Sequence, residues 1–477
     1  MASPKPRTQY GSEGRSLALR RIHAVQRLRA NFAGRSSWVR RALAPVLTRM
    51  PAERRFGAEL VSERQVIRRA ANDATFALEV QRTRLRAALL AAREADFYDI
   101  GEVDDPYATL KRLPVLTKHE VRAHSDRLLV KPPQTLDLVT TSGSSGEPAA
   151  FYLEKGRSAF EWAYVEHAWS RAGFDLDQWR AMLRGVSIAG ADTRPWSAEP
   201  AFRELRLSPF HMSASNLDTY CDEIARRGIR FLHGYPSSLV PLAKHVLEQN
   251  LSALAGAVVG VFPVSEALEH WQTRLMQRAF PRAVLIPTYG LSERVAMAVA
   301  TSDSIYEFYP TYGYVELVDG DGRQIRQAGG AGRIVATGFR NLGQPLLRYD
   351  TGDTAELVEA PSVGNGMVLK VCRIAPKRHQ EVLYRADGSP VSTSALNLHS
   401  DAYLNVKKFR FRQTKYGEAE LLLLQSPELQ DRDIQAFVKE LNRQTGGGLE
   451  FRAKVVESLA VTENGKERLV EQLCESP

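Results

Sequence analysis

Between about residues 136 and 300, short apolar runs alternate with stretches of helical periodicity. The apolar runs fall at 136–140, 229–232, 257–261 and 283–287, and the helical stretches at 158–171, 216–227, 236–248 and 266–278. This alternation constrains the fold more than any other feature. A strand that leads into a helix of ten or more residues returns to the same end of its sheet, so successive strands pair in parallel and the helices cover the faces. From about 305 to 357 the pattern changes. "YGYVELVDGDGRQIRQAGGAGRIVATGF" alternates with period two and is broken by Asp-Gly and Gly-Gly, which predicts antiparallel hairpins. Upstream, 64–96 reads as a helix, and a capped helix begins near Thr117. After about 378 comes a smaller unit, with a helix over 431–443 and a strand over 450–456. The expectation is an α/β chain with a basic arm over 1–60. A large domain follows over 61–377, with parallel, helix-covered sheets and an antiparallel β subdomain. A small α+β unit closes the chain over 378–477.

A chain of 477 residues accommodates two or three domains. Its 44% hydrophobic and 25% charged residues are ordinary for a soluble globular protein. No run of about 18 apolar residues predicts a membrane span, and no apolar segment with a small-residue cleavage site predicts secretion. Cys221, Cys372 and Cys474 lie too far apart for a metal motif, and free thiols fit a reducing cytoplasm. The net charge of +9 is concentrated. Between Glu13 and Glu53 no acidic residue occurs, while residues 15–49 hold nine arginines, with Leu19, Ile22, Val25 and Leu28 recurring every third position. Two readings stay open: a helix that packs its stripe on the body and solvates its arginines, or a basic amphipathic helix on an anionic membrane or acidic partner. Without this arm the charge is modest. No zinc-finger spacing or aromatic-basic signature points to nucleic acid.

Four loops carry candidate chemistry. "TTSGSSGEP" follows one apolar strand and precedes another. It reads either as a linker or as an anion cradle: Gly143 and Gly146 let backbone amides approach, and Thr141, Ser142, Ser144 and Ser145 donate hydroxyls. It is not a Walker motif, since no lysine follows in register. "PTYGLSERV" ends a strand at Tyr289-Gly290 and predicts a helix start near Ser292. Glu293 at that mouth suits Mg²⁺ beside phosphates, or merely complements a helix dipole; Tyr289 suits stacking on a base. "LLRYDTGD" offers Asp353 as an acceptor for ribose hydroxyls, or an Asp-rich turn. "ENGKER" places Lys466 after a glycine on a turn, where it either stays inert or neutralises developing negative charge.

In this order and spacing, the four loops resemble the adenylate-forming enzymes, the superfamily of acyl-CoA synthetases, adenylation domains and luciferases. "FLHGYPSSLVPLA", "YGLSERV" and "NLGQPLLRYDTGD" are more narrowly similar to its phenylacetate-CoA ligase-like branch, especially members assigned to capsular polysaccharide biosynthesis. The similarity spans roughly residues 100–470. Two positions depart from the pattern: Ala149 stands where many members carry lysine, and the hinge Gly-Arg-x-x-Asp is here "KRHQE", with Arg378 kept, Lys377 for glycine and Glu381 for aspartate.

The resemblance implies ATP-dependent activation of a small carboxylic acid to an acyl-adenylate, then transfer to coenzyme A, with the C-terminal unit acting as a mobile lid. It implies that residues 141–146 hold phosphate, Glu293 holds Mg²⁺, and Tyr289, Gly290, Ser292 and Asp353 contact the nucleotide. Arg378 would sit near ribose or phosphates, and Lys466 would bridge carboxylate and α-phosphate. It places the acyl pocket at Tyr235, Pro236, Pro263, Ser265 and Tyr289, with Phe210 and His211 approaching. Three readings follow: a CoA ligase, an adenylating acyltransferase that serves a carrier-protein thiol or an amine on a glycan, and a non-catalytic nucleotide-binding protein. The intact Glu293, Asp353 and Lys466 oppose the third.

Overall fold

The computed structural model describes residues 49–141, 149–185, 188, 190–191, 193–200, 202–302, 304–375, 382–393, 396, 406, 408–427, 429–459 and 469–474. Residues 1–48 of the basic arm lie outside the described residues, as do 142–148, Arg378, Glu381 and Lys466.

Helices open the described chain at Ala52–Phe56, Ala58–Ala70 and Ala74–Ala92. The break between the last two is where Asp73 accepts a bond from the backbone N–H of Phe76, 2.9 Å, and caps the second helix. The single helix expected over 64–96 is therefore two. The helix expected near Thr117 runs Lys118–Ala123, with a reciprocal Thr117/Glu120 capping box.

The parallel sheet forms as the alternation predicts, with additions. Its six strands run in the order Trp196–Glu199, Glu204–Leu207, Arg180–Leu183, Phe231–Gly234, Gly260–Pro263, Val284–Leu285. All neighbours are parallel except the edge strand Trp196–Glu199. One face packs Leu183, Leu205, Leu232 and Val261 against Ala214–Arg226, Pro236–Glu248 and His270–Ala279. The other packs Phe231 and Phe262 against Ser158–Trp169, where Trp169 stacks on Phe262 with ring centroids 4.4 Å apart. One expected member is absent: Leu136–Thr141 pairs antiparallel with Ala149–Glu154 instead, from Leu136↔Glu154 to Thr141↔Ala149. Only seven residues separate these strands, too few for a crossover.

His233 is buried in the second face beside Trp169, with ring centroids 4.6 Å apart, and its Nδ1 has no hydrogen-bond partner among the described residues. Burial, with Arg184 and Arg180 nearby, pushes its pKa well below the usual histidine value. A folded pKa below the unfolded one means the native state binds fewer protons, so this stability is full above about pH 6.5 and is lost as pH falls below it. The melting temperature should therefore drop between pH 7.5 and 5.5, and less steeply in His233→Phe; equal slopes in scanning calorimetry would contradict the assignment. His167, also lowered chiefly by burial, adds to the same slope in both proteins.

The antiparallel region forms a seven-stranded sheet in the order Gly313–Val318, Ala331–Gly338, Tyr349–Glu359, Lys370–Ala375, Ile305–Phe308, Met297–Ser302, Thr288–Gly290. A parallel bridge, Val264↔Thr288, links it to the edge where the parallel strands end. The C-terminal unit has a hairpin, Val382–Tyr384 with Pro390–Ser392. A four-stranded mixed sheet follows, with helix Asp431–Thr445 packed through Phe437 and Leu441. Its strand Glu450–Val456 falls where expected.

Candidate active site

Two of the four motifs meet at one corner of the antiparallel sheet. Tyr289 donates from its hydroxyl to Asp353 Oδ2 at 2.8 Å, across 64 positions of sequence. Burial first, and the Asp353 carboxylate next, hold the Tyr289 pKa well above the usual phenol value, so the hydroxyl remains a donor. Its ring lies edge-on to Phe308, centroids 5.6 Å apart. Glu293 is buried, and its Oε1 accepts from the Tyr349 hydroxyl at 2.8 Å. Tyr349 opens the "YDTGD" segment, so both motifs are joined twice.

The two aspartates of that segment divide their tasks. Asp350 is structural: Oδ1 accepts from the Gly352 N–H at 2.9 Å and Oδ2 pairs with Arg333 at 2.5 Å. Gly352 supplies a φ of +79° that favours glycine, which turns Asp353 toward Tyr289 inside the strand. The segment is thus a kinked strand rather than an Asp-rich turn.

The helix expected at Ser292 does not form. Arg294 N–H bonds to Leu291 O at 3.1 Å in a turn, and the chain continues as the strand Met297–Ser302. "AMAVA" has helical propensity, but the pairing Met297↔Gly290 and Ala298↔Tyr289 places it in a buried sheet, and tertiary context overrides propensity. Glu293 therefore sits on a tight connection between antiparallel strands, not at a helix N-terminus. Ser292 and Gly290 are exposed beside it.

The expected acyl-pocket residues gather at the carboxyl ends of the parallel strands. Gly234 pairs with Pro263, which brings Tyr235 and Pro236 beside the segment that continues through Val264 to Ser265. Tyr235 N–H bonds to Leu183 O at 3.1 Å, and Pro236 starts the helix Pro236–Glu248. Ser265 has a φ of +64°. His211 is buried, with Nδ1 2.7 Å from Ser208 Oγ. Phe210, Tyr235 and Val264 also belong to the same apolar cluster as Leu383, Val391 and Phe411, so the C-terminal unit packs over this edge. Two polar links reinforce the contact. Arg385 donates to the carbonyls of Phe210 and Thr445, the latter at 2.7 Å. Glu266 accepts from the hydroxyls of Ser237, 2.9 Å, and Ser392, 2.6 Å; burial raises its pKa above the usual carboxylate value.

Tyr349, Arg385 and Glu266 were not singled out from the sequence. Tyr349 is the first residue of the recognised "YDTGD" motif, so its position carried a signal; Arg385 and Glu266 carried none. Thr141 ends the first hairpin strand, and the rest of its loop, 142–146, lies outside the described residues with Arg378 and Lys466. Among the described residues no group of three or more His, Cys, Asp or Glu could hold a metal ion. A lone carboxylate such as Glu293 suits Mg²⁺ delivered with phosphate oxygens and waters, the usual mode for that ion, rather than an all-protein cage. No helix among the described residues is long and apolar enough to cross a membrane.

No protein-family model matches the chain. It is similar to Protein CapK of Staphylococcus aureus, 24% identical over 369 residues that cover 76% of this chain and 80% of CapK. Among solved structures it is similar to 2-hydroxyisobutyryl-CoA ligase in complex with 2-HIB-AMP and CoA, at 16% identity, covering 90% and 92% of the two chains with a TM-score of 0.47. It is also similar to an acyl-CoA synthetase of Brucella canis, at 15% identity, 71% and 64% coverage and a TM-score of 0.35.

Proposed function

We propose that the protein activates a small carboxylic acid with ATP and passes the acyl group to coenzyme A. The observation that carries this reading is the convergence of Tyr289, Glu293, Tyr349 and Asp353, from segments more than fifty residues apart, on one sheet corner beside the carboxyl ends of the parallel strands. Ligands bind preferentially at such strand ends. In the first step a carboxylate oxygen bonds to the α-phosphorus, the bond to the bridging oxygen breaks, and pyrophosphate leaves. In the second, the thiol sulfur bonds to the acyl carbon, AMP leaves, and the thiol proton passes to solvent. A carboxylate is ionised at neutral pH, so no catalytic base is required for the first step.

Each residue then has a physical task. Asp353, held by Tyr289, accepts hydroxyl hydrogens of the ribose. Glu293, held by Tyr349, would hold Mg²⁺, which would supply charge to offset that of the phosphates. Residues 141–146 supply amides and hydroxyls to the leaving pyrophosphate. By their place in the motif order, Arg378 would contact the ribose or phosphates, and Lys466 would stabilise charge growing at the α-phosphate. Catalysis is positioning and electrostatics. The acid is received between Tyr235–Pro236, Ser265 and His211. The "KRHQE" hinge keeps a second reading open, transfer to a carrier-protein thiol or an amine, since Glu381 and Lys377 depart from the pattern at the point about which a lid would turn.

Asp353→Asn should weaken ATP binding by about 10- to 100-fold, the scale of losing hydrogen bonds to a charged group. Calorimetric titration of ATP measures it. An unchanged affinity would remove Asp353 from the nucleotide site.

A further inference from the structure

The turn bearing Glu293 is anchored at more points than the Tyr349 bond already described. Tyr349 reaches Glu293 from the strand Tyr349–Glu359. The next residue, Arg294, reaches a different element: its guanidinium pairs with Glu161 on the helix Ser158–Trp169. Glu161 accepts a second bond, 2.6 Å, from the hydroxyl of Tyr312. Burial, then the Glu161 carboxylate, hold the Tyr312 pKa well above the phenol value, so it stays a donor. Burial alone would lower the Arg294 pKa; Glu161 and Tyr312 outweigh it and the net shift is upward.

The backbone is equally constrained. Arg294 has a φ of +58°, a left-handed conformation that is unfavourable for a residue with a Cβ and would suit glycine. Such a conformation persists where the surroundings over-determine it. Below the turn lie Gly313 and Gly338, paired across two strands. A Cβ on Gly313 would stand 2.2 Å from Val295 O, and one on Gly338 would stand 3.1 Å from Val295 Cα. Glycine at both positions opens the seat, and the Arg294–Glu161 pair pins the chain into it. The pair is only partly open to solvent: the Arg294 side chain is 36% exposed and that of Glu161 23%, while the Arg294 Nε is buried with no hydrogen-bond partner among the described residues. Core cohesion does not explain why an arginine occupies a glycine conformation here.

We propose that Glu161, Arg294 and Tyr312 are a positioning unit for Glu293, fixing its carboxylate where the magnesium–ATP complex arrives. This rests on the reading of Glu293 given above. Magnesium demands near-ideal octahedral geometry, so its share of ATP binding depends on where a single carboxylate stands, whereas metal-free ATP binding does not.

The test is calorimetric ATP binding by the full chain, with and without Mg²⁺, for Glu161→Gln, Arg294→Ala, Arg294→Lys and Arg294→Gly. Glu161→Gln and Arg294→Ala should lose about tenfold of the tightening that Mg²⁺ brings, about 1.4 kcal/mol, with metal-free affinity unchanged. Arg294→Lys, which keeps the charge, should restore most of it. Arg294→Gly relieves the backbone but lacks the anchor, and should remain as weak as Arg294→Ala. If the magnesium gain is intact in Glu161→Gln and Arg294→Ala, or if Arg294→Gly matches the unmodified chain, the positioning role is wrong while the function stands. If the unmodified chain binds no ATP under either condition, the functional reading fails and this inference with it.

Discussion

Lys466→Ala should lower acid-dependent pyrophosphate exchange by about 10²–10³-fold, the scale of removing one preorganised donor from a developing oxyanion, while ATP still binds. The argument is one of timing. As the carboxylate attacks, negative charge accumulates on oxygens around the α-phosphorus. A cation that reaches those oxygens acts mainly in the transition state, so its loss affects rate more than ground-state affinity. Lys466 follows Gly465 in "ENGKER", the segment that the motif order matches to the lysine of the adenylation step. Exchange at the unmodified rate in Lys466→Ala, with normal ATP binding, would remove it from the adenylation step.

The second large effect concerns stability. Glu204→Gln should reduce the free energy of unfolding by about 3–5 kcal/mol, the usual consequence of removing one partner from a buried ion pair. Arg180 and Glu204 sit opposite each other on neighbouring parallel strands and are 1% and 6% exposed. The Arg180 guanidinium lies 4.3 Å from the Trp162 ring, and burial lowers its pKa despite the Glu204 carboxylate. Without Glu204 this cation is left in an apolar wall with the Phe202 carbonyl, 3.2 Å away, as its remaining strong acceptor. Replacing both residues, Arg180→Met with Glu204→Leu, should recover most of the loss, because a well-packed apolar pair avoids desolvation altogether. Denaturant titration distinguishes these cases. A single variant as stable as the unmodified chain would show that the pair is solvated in solution.

The same pair explains part of what the sequence concealed. The strands Arg180–Leu183 and Glu204–Leu207 carry buried charges that cancel in space but not in sequence, so neither reads as an apolar run. By contrast, Gly260–Pro263 is apolar throughout and Phe231–Gly234 is interrupted only by His233, and both fall close to the expected positions, as does the helix Pro236–Glu248 with proline at its first turn. The antiparallel sheet was readable because Asp-Gly and Gly-Gly dictate hairpins. Around Glu293 local propensity misled: an Ala-rich stretch became a strand because Gly290 and Tyr289 were available to pair with it. In the site, the motifs identified Tyr289, Glu293 and Asp353, but not Tyr349 or the Arg294–Glu161 anchor. Those contacts join positions 56 and 133 residues apart, and no local pattern encodes them. The covering of Tyr235 and Phe210 by the C-terminal unit is of the same kind, since the Arg385–Phe210 contact spans 175 positions.

One measurement bears most directly on the central claim: exchange of labelled pyrophosphate into ATP by the unmodified protein across a panel of aryl and small aliphatic carboxylic acids, each followed by coenzyme A and thioester detection. Acid activation predicts exchange that depends on both Mg²⁺ and a particular acid, with a thioester on adding coenzyme A. Exchange without thioester would redirect the acyl group to another acceptor. No exchange with any acid, from a protein that binds ATP, would contradict the account and leave a nucleotide-binding protein.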